Sequence, residues 1–323
     1  MTNLIFFGSF LHYSALILEK LIAAKGVNVI GVVTTPAQPA GRNKELKKTE
    51  VQVLAEREGL PVLAPNRLDS VSLAYLETTF NLPQPNGVTF LTAGYGKLLP
   101  DSWLTFPTGG ALNLHFSLLP AYRGANPAEW AILMGETKTG VTLIEMSPKF
   151  DTGHIVAQAE APIGPSDTRE TVYQKLYALG GEVLPEMLTK YDQGLLTPTA
   201  QPPLSPTPYA KRLTREDGFI AWEAFVDAMA GRPVSSQYLS PQLQKIAHHL
   251  YQPLDYLELD FIARTVRALL GFPGVWTIIP TPKGDKRMKI LEVSVQGKML
   301  LLEKVQIEGQ QPANWNQVKN SVI

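Results

Sequence analysis

The chain has 323 residues, 45% hydrophobic and 18% charged, and its 29 basic and 29 acidic side chains cancel. At roughly 100–200 residues per domain, that length predicts two domains with substantial cores. The composition excludes a disordered chain, and the zero net charge excludes one that is basic throughout. With no cysteine and only five His, disulfides, zinc–thiolate sites, iron–sulfur clusters and a cysteine nucleophile are excluded, and no metal is expected.

From Met1-Thr2-Asn3 the chain runs at once into Leu4-Ile5-Phe6-Phe7-Gly8, without the basic start and cleavage site of a secretory leader. No apolar window approaches the ~18–20 residues needed to span a bilayer, so a soluble, cytoplasmic protein is expected. Leu4 to Phe7 is wholly apolar, as in a strand buried on both faces. Residues 15–21 have helical spacing and are closed by Gly26, and residues 27–33 give a second strand. A helix over 50–58 and a strand over 87–91 follow, then a strand over 110–115. Next come a helix over 125–134, a strand over 139–146 and a helix within 166–190 that starts near Asp167-Thr168. Strands separated by helices predict an α/β fold, with a parallel, Rossmann-like sheet and right-handed crossovers.

Residues 196–208 hold five prolines and read as an extended, semi-rigid linker. Beyond them the style changes. Val275 to Ile279, Lys289 to Val295 and Met299 to Ile307 carry antiparallel strand signals, which predict a small, OB-like β-barrel. The expected division is therefore a catalytic domain over 1–195, a linker over 196–208 and a carboxy-terminal domain over 209–323. Residues 206–323 carry 14 Lys/Arg against 11 Asp/Glu, too small an excess to assign a polyanion-facing role by itself.

The most informative stretch runs from Ala111 to Pro120. In a strand, Asn113 and His115 point to one face and Leu112 and Leu114 to the other. Ligands of open α/β sheets bind outside the carboxyl ends of strands. An amide beside an imidazole there suits attack on a carbonyl carbon, with Asn stabilising the oxyanion and His moving the proton. The same spacing also serves a purely structural histidine. Asp151, in Lys149-Phe150-Asp151-Thr152-Gly153, either sits in an ordinary turn or reaches the same crevice and orients His115. Other motifs fail. There is no G-x-S-x-G elbow to make Ser117 a nucleophile, no dinucleotide fingerprint at Gly8-Ser9-Phe10, and no phosphate-binding G-x-x-x-x-G-K-[ST].

Taken in order, Asn113-x-His115, Ser117-Leu118-Leu119-Pro120, Arg123-Gly124 and Asp151-Thr152-Gly153 resemble the signature of formyltransferases that use 10-formyltetrahydrofolate. The stretch from Val33 to Arg42, with Lys47-Lys48, is similar to the tRNA-facing loop of the methionyl-tRNA formyltransferases. Ala93 to Pro100 is similar to that family's folate-side loop, and 213–222, 264–268 and 273–276 resemble its carboxy-terminal domain. The resemblance implies an enzyme that formylates the α-amino group of initiator methionyl-tRNA, as a monomer and without metal. It implies that Asn113 holds the formyl oxygen, His115 accepts or relays the proton and Asp151 positions His115. It places Tyr95, Gly96, Leu98, Ser117, Leu118, Leu119 and Pro120 around the folate, and Arg42, Lys44, Lys47 and Lys48 on the tRNA.

Phe116 stands where that family has glycine, so a bulky ring is expected to narrow the folate pocket or shift the backbone. Ser9-Phe10-Leu11 replaces a small-residue turn, and Ala221 stands where an Asp commonly precedes the Trp. Three alternatives stay open: formylation of an amino sugar on a nucleotide, hydrolysis of formyl-folate, and an RNA-binding barrel on an inactive α/β domain.

Overall fold

A computed structural model describes residues 1–40, 44–82, 87–251 and 256–322. The chain forms two compact units that interleave in sequence. The first comprises 1–127, 138–162 and 173–210, and the second 128–137, 163–172 and 211–323.

In chain order the first elements are β1 (Thr2–Phe7), α1 (Tyr13–Ala23) and β2 (Val27–Val33). A short hairpin, β3 (Gln38–Ala40) and β4 (Glu45–Lys47), precedes α2 (Glu50–Arg57). Then come β5 (Val62–Leu63), α3 (Ser70–Thr79), β6 (Val88–Thr92), α4 (Asp101–Leu104) and β7 (Ala111–His115). They are followed by α5 (Pro127–Leu133), β8 (Lys138–Glu145), β9 (Ile155–Pro162) and α6 (Arg169–Asp192).

Seven strands form one sheet in the order β5-β2-β1-β6-β7-β8-β9. The five strands from β5 to β7 are parallel to their neighbours. The last two pairings, β7–β8 and β8–β9, are antiparallel. The expected parallel sheet thus has an antiparallel edge. β8 and β9 are joined by a short loop carrying Asp151, and so short a connection can only reverse the chain. The parallel strands are apolar on both faces. Ile5, Phe7, Phe90 and Trp103 pack in one core cluster, while Leu4 and Phe6 are equally buried. Side chains alternate along a strand, so β1 faces apolar layers on both sides.

The second unit holds α7 (Trp222–Met229), β10 (Val234–Ser235), α8 (Pro241–Leu250), β11 (Tyr256–Leu257) and α9 (Leu259–Leu269). Its remaining elements are β12 (Val275–Ile279), β13 (Lys286–Gln296), β14 (Met299–Ile307), β15 (Ala313–Asn314) and α10 (Trp315–Val318). β12 to β15 pair antiparallel in sequence order. Among the described residues the named strands of this sheet run in the linear order β12-β13-β14-β15, and Phe219 adds an isolated parallel bridge to Trp276 of β12. The apolar face of α9 packs on β13, and such helical cover buries a sheet face without ring closure. Among the described residues, no helix is long and apolar enough to cross a membrane.

Candidate active site

Parallel strands deliver their following loops to one edge of the sheet. Residues 8–9, 93–99 and 116–120 therefore leave β1, β6 and β7 at the same end. Ser9 ties two of these loops together, its hydroxyl donating to the Tyr95 carbonyl at 2.8 Å.

On β7, Leu112 and Leu114 are fully buried, and Leu114 points toward Gly180 of α6. Asn113 and His115 occupy the opposite face. Thr92 is in register with Asn113 on the neighbouring strand and donates its hydroxyl to the Asn113 Oδ1 at 2.7 Å. That bond occupies the amide oxygen and leaves the Nδ2 N–H groups as the donors Asn113 can offer.

His115 is 6% exposed. Its Nε2 lies 3.1 Å from the Tyr122 carbonyl oxygen. A carbonyl can only accept, so this contact is a hydrogen bond in the form with the proton on Nε2; in that neutral tautomer Nδ1 is the nitrogen that can take one up. Nδ1 lies 3.5 Å from Oδ1 of Asp151. The other carboxylate oxygen, Oδ2, accepts the Gly124 backbone N–H at 2.9 Å. Both residues that face His115 have left-handed backbone, Tyr122 with φ 58° and Asp151 with φ 54°. Non-glycine residues rarely adopt that region, and the surrounding structure must hold them there. Gly153 closes the Asp151 loop, and a Cβ there would collide with the Glu145 carbonyl.

The turn after His115 is fixed from β8 and β9. Thr142 donates to the Ser117 carbonyl at 2.6 Å and accepts from the Leu119 N–H at 3.1 Å, while Gln158 donates to the Leu119 carbonyl at 2.9 Å. The Ser117 hydroxyl is consumed by the Ala121 carbonyl at 2.7 Å. Phe116 continues the even-numbered face of Leu112 and Leu114, away from Asn113 and His115. Its ring stacks on Tyr177 of α6 at 3.9 Å between centroids. Phe10 and Tyr13 stack on the same Tyr177, so the ring joins an aromatic cluster.

The structure sets Asn113 and His115 on one face of β7 and Asp151 against His115, with Ser117, Leu118, Leu119 and Pro120 directly after His115. Gly96 has left-handed backbone and open space around its Cα, and Leu98 is exposed. Tyr95 differs, because its side chain is buried in the core beside Phe7 and only its backbone faces the loop. Its hydroxyl has no hydrogen-bond partner among the described residues, and burial pushes its pKa up. Arg42 lies outside the described residues. Lys44 flanks β4 and has no ion pair among the described residues, whereas Lys47 pairs with Glu50 at 3.0 Å and Lys48 with Glu56 at 2.8 Å. Burial and then the charge of Asp151 raise the Tyr209 pKa, which places that phenol near the carboxylate.

Sequence reasoning missed Thr92, Tyr122, Gln201 and Thr207. A polar residue ending the run Val88-Thr-Phe-Leu-Thr92 was a usable signal for the first. The other three act through backbone groups or from the Pro-rich segment, which carry no spacing signature.

The formyl transferase family model matches residues 2–188. The chain is similar to the methionyl-tRNA formyltransferase of Geobacter metallireducens, 36% identical over 206 residues and 64% of each chain. It is 34% identical over 289 residues to the methionyl-tRNA formyltransferase of Anaeromyxobacter dehalogenans, covering 88% of this chain and 86% of that one. The matched segment spans 64% of the first of these relatives and 56% of another, less than two thirds of either. A solved N-formyltransferase from Helicobacter canadensis, in complex with folinic acid and dTDP-3-aminofucose, shares the fold. It gives a TM-score of 0.59 at 18% identity, over 92% of this chain and 88% of that one.

Proposed function

The chain belongs to the formyl transferase family, and from that premise we propose that it transfers the formyl group of 10-formyltetrahydrofolate to the α-amino group of initiator methionyl-tRNA. The observation that carries this reading is the meeting of the Asn113 amide, the His115 imidazole and the Asp151 carboxylate at the carboxyl end of β7.

The chemistry follows from which atoms are already engaged. An α-amino group titrates near pH 8, so a useful fraction is neutral and nucleophilic at pH 7 without activation. Its nitrogen attacks the formyl carbon, a C–N bond forms, and the carbonyl oxygen becomes an oxyanion. The Asn113 Nδ2 N–H donates to that oxygen. The proton leaving the amine goes to His115 Nδ1, the only ring nitrogen left to accept one. Cleavage of the bond from carbon to the folate nitrogen expels tetrahydrofolate, and His115 returns the proton to that nitrogen. An oxyanion donor is worth about 2.7–4 kcal/mol, roughly 100- to 1000-fold in rate.

On this reading residues 1–195 form the catalytic part, 196–208 the connection and 209–323 the part that contacts tRNA. Gly96, Leu98 and residues 117–120 border the folate, with Tyr95 contributing only backbone. Arg42, Lys44, Lys47 and Lys48 face phosphates. Glu45 and Glu50 reduce that loop to about +2, a charge felt as salt-dependent attraction. The antiparallel sheet β12–β15 supports an OB-like barrel as the second part's finer description. The enzyme works as a monomer in the cytoplasm.

The test offers 10-formyltetrahydrofolate with charged initiator tRNA, with a nucleotide amino sugar, and with water alone. Formylated methionyl-tRNA is expected. Formylation of the sugar instead would overturn the acceptor, and formate released at the same rate without any acceptor would overturn transfer itself.

A further inference from the structure

The Pro-rich segment is bonded to the loops that carry the candidate site, in a way a spacer is not. Thr199 exchanges both backbone hydrogen bonds with Ile155, just past the Asp151 loop, at 2.8 Å each. Gln201 Nε2 donates to the carbonyls of Asp151 at 3.0 Å and Gly153 at 2.7 Å. Its Oε1 accepts Nε and Nη2 of the buried Arg123 at 3.1 and 2.9 Å. Arg123 in turn donates to the Pro202 carbonyl at 2.8 Å. The Ser205 hydroxyl donates to the Pro120 carbonyl at 2.9 Å. Thr207 Oγ1 accepts the Tyr122 backbone N–H at 2.7 Å. The other end of Tyr122, its carbonyl, is the acceptor for His115 Nε2 at 3.1 Å.

Two short chains of contact result, Gln201 to Asp151 and Thr207 through Tyr122 to His115. Each includes a residue with left-handed backbone, Asp151 in the first and Tyr122 in the second, the conformation that needs outside support. Proline suits this segment. Its fixed φ keeps the chain extended, and its missing N–H leaves bonding to the side chains and carbonyls between. All these residues belong to the first compact unit.

We propose that residues 199–207 are a positioning strap, in which Gln201 sets the Asp151 carboxylate and Thr207, through Tyr122, sets the orientation and tautomer of His115. The proposal rests on the formyl-transfer reading of this site. Gln201 and Thr207 touch no reacting atom. Misplacing a reacting group by about 1 Å can cost up to roughly 100-fold, so loss of either tether has a visible effect on turnover.

The experiment compares Thr207→Val, Thr207→Ser and Gln201→Glu with the wild type and with His115→Ala, on whichever acceptor is formylated. Thr207→Val removes the acceptor for the Tyr122 N–H, and Thr207→Ser keeps it. Gln201→Glu keeps the acceptor for Arg123 but removes the N–H donors to Asp151 and Gly153. Thr207→Val and Gln201→Glu are each expected to lower kcat about tenfold with both KM values within about twofold. Thr207→Val is also expected to displace the kcat–pH profile, and Thr207→Ser to restore both. If Gln201→Glu does not fold, the Thr207 pair decides. Unchanged kcat and pH profile in Thr207→Val, or no recovery in Thr207→Ser, overturns the strap while an inactive His115→Ala leaves the site standing. Wild-type turnover in His115→Ala overturns the site and the strap together.

Discussion

Asn113, His115 and Asp151 are enclosed or half-enclosed, and each is held by a named hydrogen-bonding partner on a neighbouring strand or loop. Lys44, Lys47 and Lys48 follow β2 at the same edge of the sheet, but they are exposed, and two of them lean on glutamates. The first region works through direction and distance, because a donor in a low-dielectric site is strong only when aimed. On the proposed reading the second works through summed charge in water, where a lysine keeps most of its effect wherever its side chain swings. Substitutions in the first region should therefore act steeply and individually. Those in the second should act gently and nearly additively.

The largest expected effect tests the first half of that contrast. His115→Ala and Asn113→Ala should each lower kcat at least about 100-fold in steady-state formyl transfer. Near-normal turnover in either would erase the distinction between the regions. Next comes the apolar side of the same turn. Phe116→Ala removes the ring stacked on Tyr177 and should lower the unfolding free energy by about 3 kcal/mol in denaturant titration. An unchanged midpoint would mean that this ring contributes nothing to holding the turn. Thr92→Val, which frees the Asn113 amide oxygen, should lower kcat about three- to tenfold with KM unaffected, in line with about 1 kcal/mol for one hydrogen bond. The gentlest effect belongs to the lysines. Neutralising Arg42, Lys47 and Lys48 together should reduce the slope of log affinity against log salt by up to about one per charge removed, with kcat at saturating tRNA unchanged. An identical slope would place the phosphate contacts elsewhere.

Much of the first region could be read from the chain. Period two along β7 separates Asn113 and His115 from Leu112, Leu114 and Phe116 with no knowledge of the fold. That parity already directs the Phe116 ring away from the polar pair. Its destination on Tyr177 lies 61 positions along the chain, beyond any local pattern. For the Pro-rich segment composition predicts an extended linker, and the structure shows bends at 203–204 and 206–207 within it. Composition is silent on whether an extended chain is free or hydrogen-bonded along its length. The barrel expectation went beyond local pattern in a related way, since alternation predicts strands and their pairing but not whether the sheet closes.

By itself the sequence determined the alternation of strands and helices, the two-part division in style, and the residue types able to polarise a carbonyl and move a proton. These follow from local rules of side-chain period, turn chemistry and functional-group chemistry, which act over a few neighbours. Only the tertiary structure decided that Asp151 faces His115 Nδ1 and Tyr122 faces Nε2, and that Thr92 turns the Asn113 amide. It alone showed Gln201 and Thr207 reaching those loops. Each of these contacts joins segments distant in sequence or depends on a single backbone twist, and no local pattern encodes either.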